Sequence, residues 1–277
     1  VNHTSQGRTI ARAGLAILLT IAAGSSAAPV DEAALRLLAE GTHRAAGHAA
    51  RNVYRHPVET LTFFGLEPNM TVVEIAPGGA GWYTEIIAPY LKASGTYYAA
   101  SYDPLSPVDY YRRNARTLQD KLAERLDLYG HTILTVFAPP AKTDIAPPGS
   151  ADLVVSFRNV HNWMEDSAAD AAFAAFHRAL KPGGVLGIVE HRGDPNRPQD
   201  PQAASGYVRE DVVIAMAERA GFKLDARSEI NANPKDDRDH PEGVWTLPPN
   251  LALGDKDRAK YAAIGESDRM TLRFRKP

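Results

Sequence analysis

Cysteine is absent from the sequence. That excludes disulfides, thiolate-bound zinc or iron–sulfur clusters, thiol nucleophiles and a cysteine-linked lipid anchor. Long apolar runs are absent too. The best candidate, Ala13 to Ala23, is too short for a bilayer, which takes about 20 apolar residues. Neither sign of charge is in excess: 31 Lys and Arg stand against 33 Asp and Glu, so no bulk attraction draws the chain to nucleic acid. There is no G-x-S-x-G elbow, which argues against a serine hydrolase. His43 and His48 are five apart and would not share a face of a straight helix. No histidine pair has metal-ligand spacing, so no metal site is expected. What remains is a chain of 277 residues with 44% hydrophobic content, enough for one well-buried core.

The start of the chain has its own pattern. Arg8 and Arg12 precede the short apolar run, and Gly24-Ser25-Ser26-Ala27-Ala28 follows it. A basic start, an apolar middle and a small-residue end describe a secretory signal peptide over residues 1–27, with a periplasmic or secreted mature chain. The mature part, 28–277, reads as one domain, with a helical cap over 28–66 and an insertion over 231–268. No transmembrane span is expected after cleavage.

Beyond the cap the composition alternates. Short β-branched runs (Thr71–Ile75, Thr96–Tyr102, His131–Phe137, Asp152–Phe157, Val185–Glu190, Phe222–Ser228 and Met270–Arg275) are separated by segments of helical composition. Those helical segments include Trp82–Leu91, Tyr110–Leu128, Ala168–Leu180 and Val208–Ala220, with Lys181-Pro182-Gly183-Gly184 stopping the third. Strands spaced by helices argue for a parallel sheet covered on both faces. The 231–268 segment is polar and charged, and reads either as a functional cover or as a solvated excursion.

The first strand runs into Ala76-Pro77-Gly78-Gly79-Ala80-Gly81. In an open α/β sheet such a loop sits where ligands collect, and glycines let a ligand approach the backbone. Asp103, at the end of the second strand, suits the two hydroxyls of a ribose. On its own the loop is also a degraded dinucleotide fingerprint.

Five features together separate these readings. They are Glu74 with its glycine loop, Asp103, the run from Asp152 through Asn159-Val160-His161-Asn162-Trp163, Ala179-Leu180-Lys181-Pro182-Gly183-Gly184, and Ala220-Gly221-Phe222. In combination they resemble the class I S-adenosylmethionine-dependent methyltransferases over roughly residues 60–230. Arg55-His56-Pro57, the Gly78–Glu85 run and the Asn159–Trp163 run further look like a bacterial group of exported methyltransferase-like proteins. The resemblance implies a Rossmann-like α/β fold: a seven-stranded, mostly parallel sheet with an antiparallel last strand and helices on both faces. It implies S-adenosyl-L-methionine as cofactor and a small-molecule or lipid-like acceptor. Glu74, Ala76, Gly78 and Gly79 would cradle the methionine end and Asp103 the ribose. From the residues themselves, Arg51 and Arg55 are candidates to bind an anionic group, a solvated helix face being the other reading for Arg51. Alanine stands at positions 76 and 80, where the family usually has glycine. A nicotinamide-dependent oxidoreductase is argued against by Glu74 and by Lys181-Pro182-Gly183-Gly184. The remaining alternative is an exported binding protein that kept the fold without catalysis.

Methyl transfer needs orientation and, for some acceptors, a base. His161 is the candidate base, since it follows strand four and histidine is the usual residue type for proton transfer near neutral pH; its other reading is a brace for the loop. Asn159 is a candidate for orienting substrate. Glu74 lies inside an apolar strand and needs a partner, either ligand or a cation such as Arg55. Arg55, His56, Asn159 and His161 are expected to line one pocket with the glycine loop.

Overall fold

The β-branched runs pair into a single sheet in a computed structural model that describes residues 1–3 and 30–277. The expected leader falls almost wholly outside the described residues. Seven strands are present: β1 Thr71–Ile75, β2 Thr96–Ser101, β3 Ile133–Val136, β4 Ala151–Phe157, β5 Leu180–His191, β6 Lys223–Ser228 and β7 Arg269–Arg275. Their order is β3-β2-β1-β4-β5-β7-β6. β1 through β5 pair in parallel, and β7 runs antiparallel between β5 and β6. This is the Rossmann-like arrangement expected, with the last strand reversed.

Strand alternation sorts side chains to two cores. Val73, Ile75 and Val154 point to the face that carries Phe173 and Phe176. Val72, Leu153 and Val155 point to the face that carries Ile86, Leu91 and Tyr97. Glu74 shares the parity of Val72 and therefore faces Tyr97. Gly187 in β5 lacks a side chain where Phe64 arrives: a Cβ there would lie 2.6 Å from the ring.

Helices cover both faces. The N-terminal region forms α1 Glu32–Ala39, α2 Ala46–Ala49, α3 Asn52–Arg55 and α4 Pro57–Phe64. Asp31 caps α1 by accepting from Ala34 N at 2.9 Å. Pro57 opens α4, and Gly65 ends it in the left-handed region that glycine tolerates. Then come α5 Thr84–Leu91, α6 Asp109–Glu124, α7 Leu126–Tyr129, α8 Val160–Glu165, α9 Ala169–Ala179, α10 Glu210–Arg219 and α11 Arg258–Ile264. Two expectations need correction. The Tyr110–Leu128 segment breaks at Arg125 into α6 and α7. The Lys181–Gly184 turn does not precede β5 but bulges within it: Leu180 pairs with Ala151, and regular pairing resumes at Val185 opposite Leu153.

The polar 231–268 segment is folded, because its polar groups find partners inside the chain. Asp236 is buried and accepts from Tyr207 Oη and from Asp268 N, at 2.9 and 2.7 Å. Asn231 Nδ2 donates to Thr60 and Thr271, both at 2.9 Å.

The first half of the cap is anchored by a carboxylate of α5, Glu85. It accepts from Arg44 Nε at 3.1 Å, His48 Nδ1 at 3.0 Å and Lys121 Nζ at 2.5 Å. His43 donates to the Glu85 carbonyl at 2.8 Å. The two histidines meet here because His43 lies in the turn before α2 and shares no helix with His48. Burial alone would raise the Glu85 carboxyl, but His48 and Lys121 outweigh it and hold it at about 2. Its stabilising contribution is therefore present above the ordinary glutamate range and is lost as pH falls towards 2. Glu85→Gln leaves Arg44 buried without its counter-charge and should cost about 3–4 kcal/mol in urea unfolding at pH 7. A cost under about 1 kcal/mol would show that the anchor is dispensable.

Candidate functional site

β1 and β4 lie side by side in parallel, with Ile75 opposite Ser156. The segments that follow them therefore emerge together, at the point where strand order reverses. One is the loop from Ala76 to Gly81; the other runs from Arg158 into α8. Asn159 ties them, its Nδ2 donating to Ile75 O at 3.2 Å. Two cavities open here. The larger, about 300 Å³, is lined by Glu74, Ala76, Gly78, Arg158, Asn159 and His161, and on the far side by Trp245 and Pro248 of the 231–268 segment. The smaller, about 120 Å³, is lined by Tyr102, Asp103, Phe137, Asn162 and Trp163. Ala76 and Asn159 belong to both walls, so the two form one cleft bent around the tip of β1.

The loop is held in unusual backbone. Ala76, Gly78 and Gly81 have φ of +46°, +70° and +55°. Glycine adopts such angles freely; alanine at 76 is strained by them. Beside Gly78 the space is open, the nearest atom to a built Cβ being Asn114 Oδ1 at 4.0 Å. Gly79, expected at the ligand, faces α6 instead. Its N donates to Asn114 Oδ1 at 2.8 Å, and a Cβ would lie 3.0 Å from Thr117. Its smallness serves packing.

Among the described residues Glu74 meets neither Arg55 nor any other cation within salt-bridge distance. It accepts from Tyr97 Oη at 2.5 Å and from Thr84 Oγ1 at 2.9 Å. Burial pushes its carboxyl up to about 7, although both hydroxyls pull it down. Asp103 lines the smaller cavity with one oxygen on Lys142 Nζ at 2.6 Å and the other on Leu105 N at 3.0 Å. The Lys142 contact, then the Leu105 amide, lowers its carboxyl.

His161 points Nδ1 at Glu190 Oε1, at 3.0 Å. Glu190 is fully buried at the end of β5 and also accepts from the amides of Val160 and His191, at 2.5 and 2.8 Å. That fixes the Nδ1–H tautomer of a neutral His161 and leaves Nε2 as its basic atom. His191 packs 5.5 Å from His161, ring to ring; burial, then His161 and Arg269, depress its pKa well below the usual histidine value. His161, Glu190 and His191 bring three donor atoms within 4.8 Å of one another, a grouping that spacing did not reveal. The Glu190 oxygens are already taken by the amides and the imidazole, so the contacts describe a hydrogen-bonded dyad.

Arg55 lines the larger cavity but donates Nε to Glu266 Oε2 at 3.1 Å, and its guanidinium lies 4.7 Å from the Trp82 ring centre. His56 does not join it. With φ +38° the chain turns there, and His56 lines a separate cleft with Asn231 and Asn233. Of the four residues expected together, Arg55, Asn159 and His161 share the cavity. Sequence reasoning passed over Arg158, Glu190, Trp245, Glu266 and Arg269. Only Glu190 carried a usable signal, an acid closing an apolar strand.

No family model matches the chain, and no curated protein matches its sequence. Solved structures do. A SAM-dependent methyltransferase from Aquifex aeolicus aligns at TM-score 0.52 and 14% identity, covering 90% of this chain and all of its own. The [4+2]-cyclase SpnF aligns at 0.53 and 17%, covering 80% and 81%. A putative sarcosine dimethylglycine methyltransferase from Galdieria sulphuraria aligns at 0.52 and 11%, covering 83% and 86%. At these identities the likeness is one of fold. The chain has the fold of SAM-dependent methyltransferases, a fold that also serves a cyclase.

The raised Glu74 carboxyl makes a pH prediction. Between about 4.5 and 7 the unfolded chain releases this proton while the folded chain keeps it, so folding stability falls as pH rises through that window. Glu74→Gln keeps the two hydroxyl contacts and removes the titration. Its stability relative to the parent should rise by about 2–3 kcal/mol from pH 4.5 to 8 in urea unfolding. A pH-independent difference would overturn the assignment.

Proposed function

We propose that the chain is a class I S-adenosylmethionine-dependent methyltransferase acting on a small acceptor. The observation that carries this is the bent cleft at the β1/β4 switch point, with a carboxylate serving each lobe. The residues present fit the cofactor. In the smaller lobe the aromatic walls of Tyr102, Phe137 and Trp163 suit a flat base, and Asp103 suits ribose hydroxyls. In the larger lobe the open space beside Gly78 suits the methionine backbone. Glu74, balanced near neutrality, suits a cationic group that would draw it back to the carboxylate.

When bound, S-adenosylmethionine supplies an electrophilic methyl on a sulfonium, which the acceptor attacks in line. The chain's part is position and proton handling. His161, with Nδ1 fixed by Glu190, receives the acceptor's proton at Nε2. Asn159 holds the strand tips in register through the Ile75 carbonyl. Trp245 and Pro248 wall the acceptor side and exclude water. The export pattern extends the proposal to a periplasmic enzyme beginning near Ala28, which N-terminal sequencing from the native host would test.

Calorimetric titration with S-adenosylhomocysteine tests the cofactor assignment. The protein should bind it, and Asp103→Ala should weaken binding roughly tenfold with the fold intact. Unchanged affinity would refute the ribose role, and no binding by the parent would refute the proposal. His161→Gln should keep this affinity and lower transfer to the acceptor about a hundredfold.

A further inference from the structure

Four guanidinium groups converge on the wall of the larger cavity. Arg51 and Arg55 come from the two ends of α3, Arg158 follows β4, and Arg269 opens β7. Their common partner is one carboxylate, Glu266. Its Oε1 takes Arg51 Nε at 2.5 Å; its Oε2 takes Arg55 Nε at 3.1 Å and also Arg269. Arg158 Nη1 stands 4.0 Å away, its nearest carboxylate among the described residues.

One carboxylate cannot satisfy four guanidiniums. Arg51 Nη2 and Arg269 Nε are buried with no partner among the described residues. Burial first, then repulsion from Arg269, lowers Arg158 to about 10; Arg55 is pushed well below its usual value by burial and then by Arg158. Among the described residues no carboxylate other than Glu266 stands within 4.0 Å of these four arginines. His191 is held neutral, and Glu190 is spent on His161 and two amides. Glu74 is bonded to hydroxyls at the other end. Unpaired buried cations are costly and normally find an anion. Two of the four are within reach of one: Arg51 and Arg158 each keep 23% of the side chain exposed, against 4% for Arg55 and 3% for Arg269.

We propose that this wall is an oxyanion subsite for the acceptor, which enters as a small molecule bearing a carboxylate or phosphate held by Arg158 and Arg51. The inference rests on the methyltransferase reading and specifies its substrate class. An acceptor anchored at Arg158 lies on the same cavity wall as His161, three residues further along, and against Trp245. The cavity of about 300 Å³ limits it to a small molecule.

Trp82 and Trp245 line the cavity and report its occupancy. The test is a fluorescence titration with inorganic phosphate and, separately, benzoate, at constant ionic strength, with and without saturating S-adenosylhomocysteine. Saturable binding of either anion to the S-adenosylhomocysteine-loaded protein is expected. It should be weakened at least tenfold in Arg158→Gln and in Arg51→Gln, either of which suffices if the other does not fold, and unchanged in the surface variant Arg197→Gln. The tighter of the two probes identifies the oxyanion. Absent binding, or binding indifferent to both arginine variants, overturns the proposal. So does competition by S-adenosylhomocysteine, since the arginines would then hold the cofactor's own carboxylate. Failure of S-adenosylhomocysteine to bind while the anions still do would sink the methyltransferase reading alone.

Discussion

The carboxylate of Glu266 joins elements far apart in the chain. Its partners come from the N-terminal helices, from the end of β4 and from the start of β7. Burial opposes its charge, but Arg269, Arg55 and Arg158 hold the carboxyl well below its ordinary value. The arrangement orients cations that would repel one another if left alone. It therefore fixes the cleft wall in shape and also in sign.

Four buried glutamates show how differently a fold can settle the same problem. Glu85 is neutralised by basic side chains and anchors the cap. Glu266 is over-neutralised. Glu190 is met by two amides and an imidazole, which place it as a brace for His161. Glu74 alone receives only hydroxyls, and its charge is correspondingly weak at neutral pH. A carboxylate left in that condition inside a strand costs stability, which is a reason to look for its counterpart in a ligand.

The fold was legible because its signals are local. β-branched runs, helical segments and Gly78 with Gly81 each announce themselves within a few residues. Asp103 and His161 could be named from their place after strands β2 and β4. Contacts across long separations were not legible. For Glu74 the sequence leaves a ligand or a cation such as Arg55 as partner; alternation turns it towards Tyr97, while Arg55 meets Glu266 from 211 positions away. His43 and His48 fail a straight-helix test, but they share no helix. The 231–268 segment reads equally as a cover or as a solvated excursion, because hydropathy cannot see that Asp236 and Asn231 find partners inside.

That segment joins β6 to β7, two antiparallel neighbours whose facing residues Ser228 and Thr271 are already paired. A tight turn would close them; the chain inserts a long excursion between ends that stay adjacent. Loop-closure cost grows only slowly with length, so such an excursion can be lengthened or exchanged with little charge to the sheet. The cavity wall carried by Trp245 and Pro248 is thus separable from the loop after β1. Selection could rebuild one side of the cleft as a cassette, varying what is recognised on a constant chemical platform.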